Sequence, residues 1–261
     1  LYARLRQRQP VRYGGFVGNR LGGIVSLSPE LFLERHGERL LTRPMKGTAA
    51  RSEPSETLRN SVKDRAENLM IVDLLRNDLG RLAEPGSVKV DRLFEIEDYP
   101  TVWQMVSEVS ARIGRQGFES VLRALFPCGS ITGAPKIRAM QIIGALEGAP
   151  RRLYTGALGW LAPDGDFRLN VAIRTLELAT GHRGKMGIGS GIVADSLPDA
   201  EWRECRLKAA FIRAGDPGLK LIETLRRENG VYPMWLGHLA RLRRSAAWFG
   251  FPLDEQQLCR E

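Results

Sequence analysis

Cysteine, aromatic residues and long apolar runs are scarce in this 261-residue chain, and each shortage removes a class of protein. The three cysteines, Cys128, Cys205 and Cys259, share no metal-ligand spacing, and their odd count argues against a disulfide framework. No apolar run approaches the ~20 residues that cross a bilayer, and the start carries no signal-peptide pattern. A cytoplasmic protein with no membrane partner is expected. Aromatics make up only 7% of residues, and no basic stripe is interleaved with them. Acidic residues are the minority charge, 30 against 39 basic, which leaves a net +9. Such an excess suits a polyanionic partner. It clusters only at the ends, in Arg4, Arg6, Arg8 and Arg12 and again in Arg241, Arg243 and Arg244. An enzyme for a small polyanion explains it as well as nucleic acid does. No nucleic-acid partner is expected, and a non-catalytic basic nucleic-acid-binding module is kept as the rival of another class. What is present, 43% hydrophobic and 26% charged residues, is ordinary globular composition. The chain begins at Leu1 and ends in mid-pattern, so a fragment of a longer polypeptide is expected.

The segment Arg43-Pro44-Met45-Lys46-Gly47-Thr48 sets a lysine between a proline-stiffened approach and a Gly-Thr turn. Proline restricts its own φ and that of its predecessor, and Gly47 lets the backbone approach a ligand. A lysine held still in a partly desolvated pocket can serve as a nucleophile; a solvated turn lysine is the plainer reading. Residues 22–43 read as short strands. Between two of them Glu30 follows a proline and interrupts the apolar pattern, which fits either a pocket carboxylate or a surface hairpin one.

Residues 61–80 read as a helix on which Asp64, Glu67, Ile71, Leu74, Leu75 and Asp78 share a face. Carboxylates on an apolar stripe need a cation or donors, supplied either by a metal or by salt bridges to Arg65 or Arg76. Strand-like alternation returns at 102–113, then a short helix at 118–126. The loop Pro127-Cys128-Gly129-Ser130-Ile131-Thr132-Gly133-Ala134-Pro135-Lys136 opens a further helix, with Pro135 in a first-turn position and free N–H groups that suit a carboxylate. Strands are expected at 154–161 and 167–178. In the second, Arg174 shares a face with Asn170 and Ala172, leaving room for a ligand that a guanidinium could grip. The glycines of Met186-Gly187-Ile188-Gly189-Ser190-Gly191-Ile192-Val193 lack the helix start of a dinucleotide loop and read better as a glycine-lined strand edge. On the helix from Pro198, Glu201, Glu204 and Lys208 fall on one face. Two acid-bearing helices point to an oxygen-ligand divalent site, with Mg²⁺ as the natural occupant. After Gly215-Asp216-Pro217-Gly218 the character shifts: a strand-like start at 219–225, a hairpin turn at Asn229-Gly230 and a helix at 236–249. A second domain, 215–261, is expected to open here, beyond a first of 1–214.

SLSPELF, RPMKGT, DRAENLMIVDLLRNDLGR, PCGSITGAPK, the strand pair ending in AIRT, IGSGIVADS and AEWRECRLK follow in this order. Across residues 10–214 the chain thereby resembles the chorismate-utilising enzymes, among them anthranilate, aminodeoxychorismate, isochorismate and salicylate synthases. The lysine in RPMKGT resembles the aminodeoxychorismate branch, since anthranilate synthases usually carry alanine there. The tail over 219–254 is similar to the start of a fold-type IV pyridoxal-phosphate enzyme such as aminodeoxychorismate lyase.

The resemblance implies an α+β fold of stacked, largely antiparallel sheets flanked by helices. It implies Mg²⁺-dependent amination of chorismate to 4-amino-4-deoxychorismate for p-aminobenzoate and folate synthesis, with ammonia from a glutamine amidotransferase subunit. Anthranilate or isochorismate/salicylate formation is the alternative. It makes Glu67 and Glu204 the Mg²⁺ ligands, with Asp64 and Glu201 acting through water. Arg174, Tyr154 and Gly189-Ser190-Gly191 would hold the enolpyruvyl carboxylate, and Lys208, Thr48 and Gly47 would complete the cage. Lys46 would attack C2 while Glu30 protonates the departing C4 hydroxyl. Two departures stand out: Gln104 replaces a histidine common in relatives, and the family's N-terminal half is missing.

Overall fold

Residues 1–99, 102–180, 183–213, 221–228, 230–249 and 253–258 are described by the structure, a computed structural model. The chain opens with α1 (Tyr2–Arg8) and a hairpin of β1 (Gly15–Asn19) and β2 (Gly22–Ser26). A second hairpin, β3 (Leu31–His36) with β4 (Arg39–Arg43), turns at Gly37, whose φ of +59 suits glycine. Then come β5 (Met45–Ala50), α2 (Ser55–Arg59), α3 (Val62–Gly80), β6 (Lys89–Asp98) and β7 (Val102–Arg112). They are followed by α4 (Phe118–Leu125), a 3-10 turn at Gly129–Ile131 and α5 (Lys136–Leu146). Strands β8 (Ala157–Leu161), β9 (Phe167–Val171), β10 (Thr175–Ala179) and β11 (Arg183–Met186) lead to α6 (Pro198–Arg213). These belong to a compact unit spanning Leu1–Ala214; α7 (Trp235–Phe249) and α8 (Glu255–Leu258) belong to another, Gly215–Glu261.

Hairpins and short connections favour antiparallel pairing, and every strand pair in the first unit is antiparallel. One sheet has four strands in the order β1-β2-β10-β11; the other has seven, β5-β7-β4-β3-β9-β8 with β6 also on β7. The fold is therefore α+β, with stacked antiparallel sheets and flanking helices. β7 is the spine of the larger sheet. β4 and β5 lie end to end along one of its sides, parted at Pro44, and β6 covers the other. α3 packs on β7 and β5 and buries Ile71, Val72, Leu75 and Leu79. The main core joins Phe32, Leu40, Val72, Val109, Leu125 and Phe167; a smaller one gathers Leu5, Val25, Leu27 and Leu176 against Phe211 of α6.

The structure departs from the sequence pattern in several places. The run 167–178 is two strands in different sheets, because the chain leaves β9 and enters β10 through Arg174 at φ +49. The strand expected from 154 begins at Ala157, after a turn closed by Gly156 N–H donating to Leu153 O at 2.8 Å. α1, β1 and β6 were not legible: β6 is charged along its length and mostly exposed, so no apolar alternation marks it. Both faces of β7 are buried along its middle, Val106 and Ser110 included. Pro135 caps α5 from outside; the first helical residue is Lys136.

In the second unit, Gly215 to Gly218, residues 219 and 220, Asn229 and Cys259 lie outside the described residues, and 221–227 form no strand. The expected turn is closed by reciprocal backbone hydrogen bonds between Glu228 and Val231, both 2.9 Å, with Gly230 at φ +83. Glu223 accepts from Arg241 Nε at 2.8 Å and meets His238 Nδ1 at 2.8 Å; the two partners hold its carboxyl down at about 2.

Candidate active site

Lys46 sits in a β-bulge, not in a turn. Met45 pairs with Val106 and Thr48 with Gln104, so the pair Lys46-Gly47 faces one residue of β7. Gly47 has φ +93, and a Cβ there would stand 3.0 Å from Asp64 Cβ and 3.2 Å from Leu58 Cδ1. Glycine is needed for both reasons. The bulge turns the lysine toward the glycine segment: a Cβ on Gly191 would lie 3.5 Å from Lys46 Nζ.

Glu30 lies in the buried passage between β2 and β3, 5% exposed, and its Oε1 has no hydrogen-bond partner among the described residues. The surface-hairpin alternative is excluded. Its backbone is fixed by N–H to Ser28 Oγ at 3.3 Å and by Val171 N–H donating to its carbonyl at 3.1 Å. Burial pushes the carboxyl up to about 7, with the Ser130 hydroxyl and the Lys46 charge pulling it back. Glu30 and Lys46 thus sense each other, as an acid and an amine in one site must.

Arg174 is half-buried, and no acidic side chain pairs with it among the described residues. Burial lowers its guanidinium pKa, partly offset by Tyr99, yet arginine keeps its charge in such sites. Tyr154, whose hydroxyl is raised by burial, lies flat against the glycine segment. A Cβ on Gly187 would come within 2.2 Å of its ring and one on Gly189 within 2.6 Å of its hydroxyl. These glycines follow β11 in irregular backbone and are not themselves a strand edge. Lys208 donates to Gly189 O at 3.1 Å, and the Thr48 hydroxyl accepts from Gln104 Nε2 at 2.6 Å, which leaves its own hydrogen for an anion.

The acids occupy the first two turns of α3 and of α6. Asp64 closes a capping pair with Ser61, whose hydroxyl donates to Oδ2 while Asp64 N–H donates to Ser61 Oγ at 3.2 Å. Glu67, one turn on, is 4.0 Å from Lys63 Nζ. Glu201 accepts from Ser196 Oγ at 2.7 Å, and its buried Oε2 has no partner of hydrogen-bond geometry among the described residues. Its carboxyl is held low by the Ser190 and Ser196 hydroxyls and, from farther off, by Lys208 and Lys63. Glu204 pairs with Lys208 at 2.6 Å. Among the described residues no three His, Cys, Asp or Glu side chains stand close enough to hold a metal by themselves. The salt-bridge alternative also differs from expectation: Arg65 lies 4.8 Å above the Phe94 ring, Arg76 pairs with Asp73 at 2.8 Å, and Asp78 pairs with Lys136 of α5.

Three contributors escaped the sequence reading. Ser130 reaches Glu30 and meets Cys128 Sγ at 3.2 Å. Ser107 and Asn68, both fully buried, join at 2.6 Å behind the bulge. A serine in the apolar face of β7 was the available signal, and its partner on α3 was not.

A family model described as "chorismate binding enzyme" matches residues 1–214. The chain is 45% identical over 211 residues to aminodeoxychorismate synthase component 1 of Escherichia coli, covering 78% of this chain and 46% of that one. It is 44% identical over 216 residues to anthranilate synthase component 1 of Streptomyces coelicolor, covering 78% and 42%. The crystal structure of anthranilate synthase component I from Streptococcus pneumoniae superposes with a TM-score of 0.73 at 36% identity, over 80% of this chain and 47% of that one. The chain spans less than half the length of each of these relatives.

Proposed function

This chain belongs to the chorismate binding enzymes, and from that membership we propose that it aminates chorismate to 4-amino-4-deoxychorismate, a step toward p-aminobenzoate and folate. The carrying observation is the placement of Lys46 Nζ at Gly191, together with a buried Glu30 that lacks a donor at Oε1 among the described residues. In this reading the Lys46 amine bonds to ring C2 as both conjugated ring double bonds shift by one position and the C4–O bond breaks. Glu30 gives its proton to the departing oxygen, which leaves as water. Ammonia then bonds to C4 and returns a proton to Glu30, both double bonds shift back, and the C2–N bond to Lys46 breaks. Dividing one displacement into two is the usual gain from a covalent intermediate. Arg174, Tyr154, the Gly189-Ser190-Gly191 backbone, Thr48, Gly47 and Lys208 hold the substrate carboxylates.

Glu201 Oε2, buried and without a hydrogen-bond partner among the described residues, fits a divalent ion. Glu67 and Glu204 would hold Mg²⁺, with Asp64 and Glu201 behind them, and the ion would neutralise a substrate carboxylate. Glu204 would exchange Lys208 for the metal. A glutamine amidotransferase subunit, or free ammonium, supplies the nitrogen; the "component 1" in the relatives' names supports a second component. No described helix is long and apolar enough to cross a membrane, and a cytoplasmic location without nucleic-acid or membrane partners completes the reading. The tail is assigned to the start of a lyase-like domain.

Mass spectrometry of the products from chorismate, Mg²⁺ and ammonium tests it. Expected is 4-amino-4-deoxychorismate; anthranilate, the product that the 44% identical relative's name indicates, overturns the choice. Lys46→Ala should abolish amination while chorismate affinity is largely kept.

A further inference from the structure

A bulge takes backbone carbonyls out of the sheet ladder, and they must find other donors. Here the two consecutive carbonyls are met by side-chain amides from opposite sides. Asn68 Nδ2 of α3 donates to Lys46 O at 3.3 Å, and Gln104 Nε2 of β7 donates to Gly47 O at 3.1 Å. A carbonyl only accepts, so each amide nitrogen is placed without ambiguity. Each amide makes a further contact, Asn68 through its oxygen and Gln104 through the same nitrogen. Asn68 Oδ1 accepts from Ser107 Oγ at 2.6 Å, and Ser107 Oγ in turn accepts from Phe94 N–H at 3.1 Å. Gln104 Nε2 reaches Thr48 Oγ1 as well, at 2.6 Å. One relay therefore runs from β6 through β7 and α3 to the lysine's own peptide.

We infer that Gln104 and Asn68 are positioning residues for Lys46: two amides clamp the carbonyls on either side of the bulge and thereby fix where the lysine amine stands. Lysine has a flexible four-carbon stem, so its amine is only as well placed as the backbone that carries it. The inference rests on the covalent role proposed for Lys46 as far as its catalytic consequence goes; the clamp itself does not. It also assigns a task to the glutamine that replaces a histidine common in relatives. An amide does not titrate near neutrality, whereas imidazole does, so this contact is the same on both sides of pH 7.

Gln104 lies at the site's open side and Asn68 in the core, so Gln104 carries the test. Wild type, Gln104→Leu and Gln104→His are compared, the last keeping a ring N–H, with unfolding curves to show that each is folded. The first measurement is acetylation of Lys46, read by peptide mass spectrometry against exposed Lys185 as internal reference. Gln104→Leu should raise the ratio by roughly threefold or more, as the amine gains freedom, and Gln104→His should return it toward wild type. In the second, kcat for ammonium-dependent amination should fall by ~10²-fold in Gln104→Leu, the usual cost of a misplacement of about 1 Å, with KM for chorismate moving much less. Gln104→His should recover at least about a tenth of wild-type kcat. An unchanged labelling ratio overturns the clamp. A changed ratio with kcat held within about twofold overturns its catalytic consequence. If wild type makes no aminodeoxychorismate, the proposed reaction fails, and the labelling ratio still decides on the clamp.

Discussion

Glu30 and Gly189 show how single side chains, or their absence, decide what this site can do. Burial, with no donor at Oε1 among the described residues, brings the Glu30 carboxyl up to about 7, so it holds a transferable proton near neutrality. Glu30→Gln should lower kcat by ~10²–10⁴-fold. In the wild type the Glu30-dependent rate should fall as pH rises through about 7, and the variant should lose that limb. A rate that declines identically in both would show that another group titrates. At Gly189 the missing Cβ makes room for the Tyr154 hydroxyl, which would be 2.6 Å from it. Gly189→Ala should push the ring aside and raise KM for chorismate roughly tenfold, the loss of one hydrogen bond. A KM equal to wild type would mean that the tyrosine does not contact substrate.

At the scale of elements, α3 does three jobs along its length. Its capped start brings Asp64 under Gly47, its middle supplies Asn68 to the bulge, and its end binds α5 through Asp78. The Asp78–Lys136 pair is buried, 8% and 12% exposed, and Lys136 Nζ also donates to Leu125 O at 3.1 Å. Removing one partner strands the other charge in the interior, so Lys136→Met should destabilise the larger unit by about 3–5 kcal/mol in urea unfolding. Asp78→Leu combined with Lys136→Met should recover most of that. A single variant as stable as wild type would show that water already solvates the pair. The helix was legible as a face of 3.6-residue period. What Asp64 and Asp78 meet was not, since Gly47 and Lys136 come from other parts of the chain. β5 was misread for a related reason: Gly-Thr after lysine carries the same local signal in a turn and in a bulge, and only pairing with β7 separates them.

Over the whole molecule, two sheets meet where the backbone turns through Arg174, and that joint holds a half-buried guanidinium with no acidic partner among the described residues. Charge buried in this way links folding to pH. Glu30 is raised in the folded state, so its contribution to stability is full below pH 4.5 and is lost as pH rises through about 7. Relative to wild type, Glu30→Gln should therefore become more stable by on the order of 3 kcal/mol between these limits. Urea unfolding at a series of pH values measures the difference; one that stays constant across the range would contradict the burial argument. Glu201 acts in the opposite sense, lowered by its hydroxyl and lysine neighbours, so its share is present above the ordinary glutamate range and lost as pH falls.

Sequence alone determined the family, because seven motifs in fixed order survive any uncertainty about where elements begin. The resemblance carried the α+β class with it, and the two acid-bearing helices follow from local periodicity. Tertiary structure alone decided that Glu30 is buried and short of a donor, that Lys46 rides a bulge held by Asn68 and Gln104, and that the expected strand around Arg174 divides between two sheets. Each of these depends on groups distant along the chain meeting out of reach of water, and neither burial nor a partner's identity is encoded in the spacing of neighbouring residues.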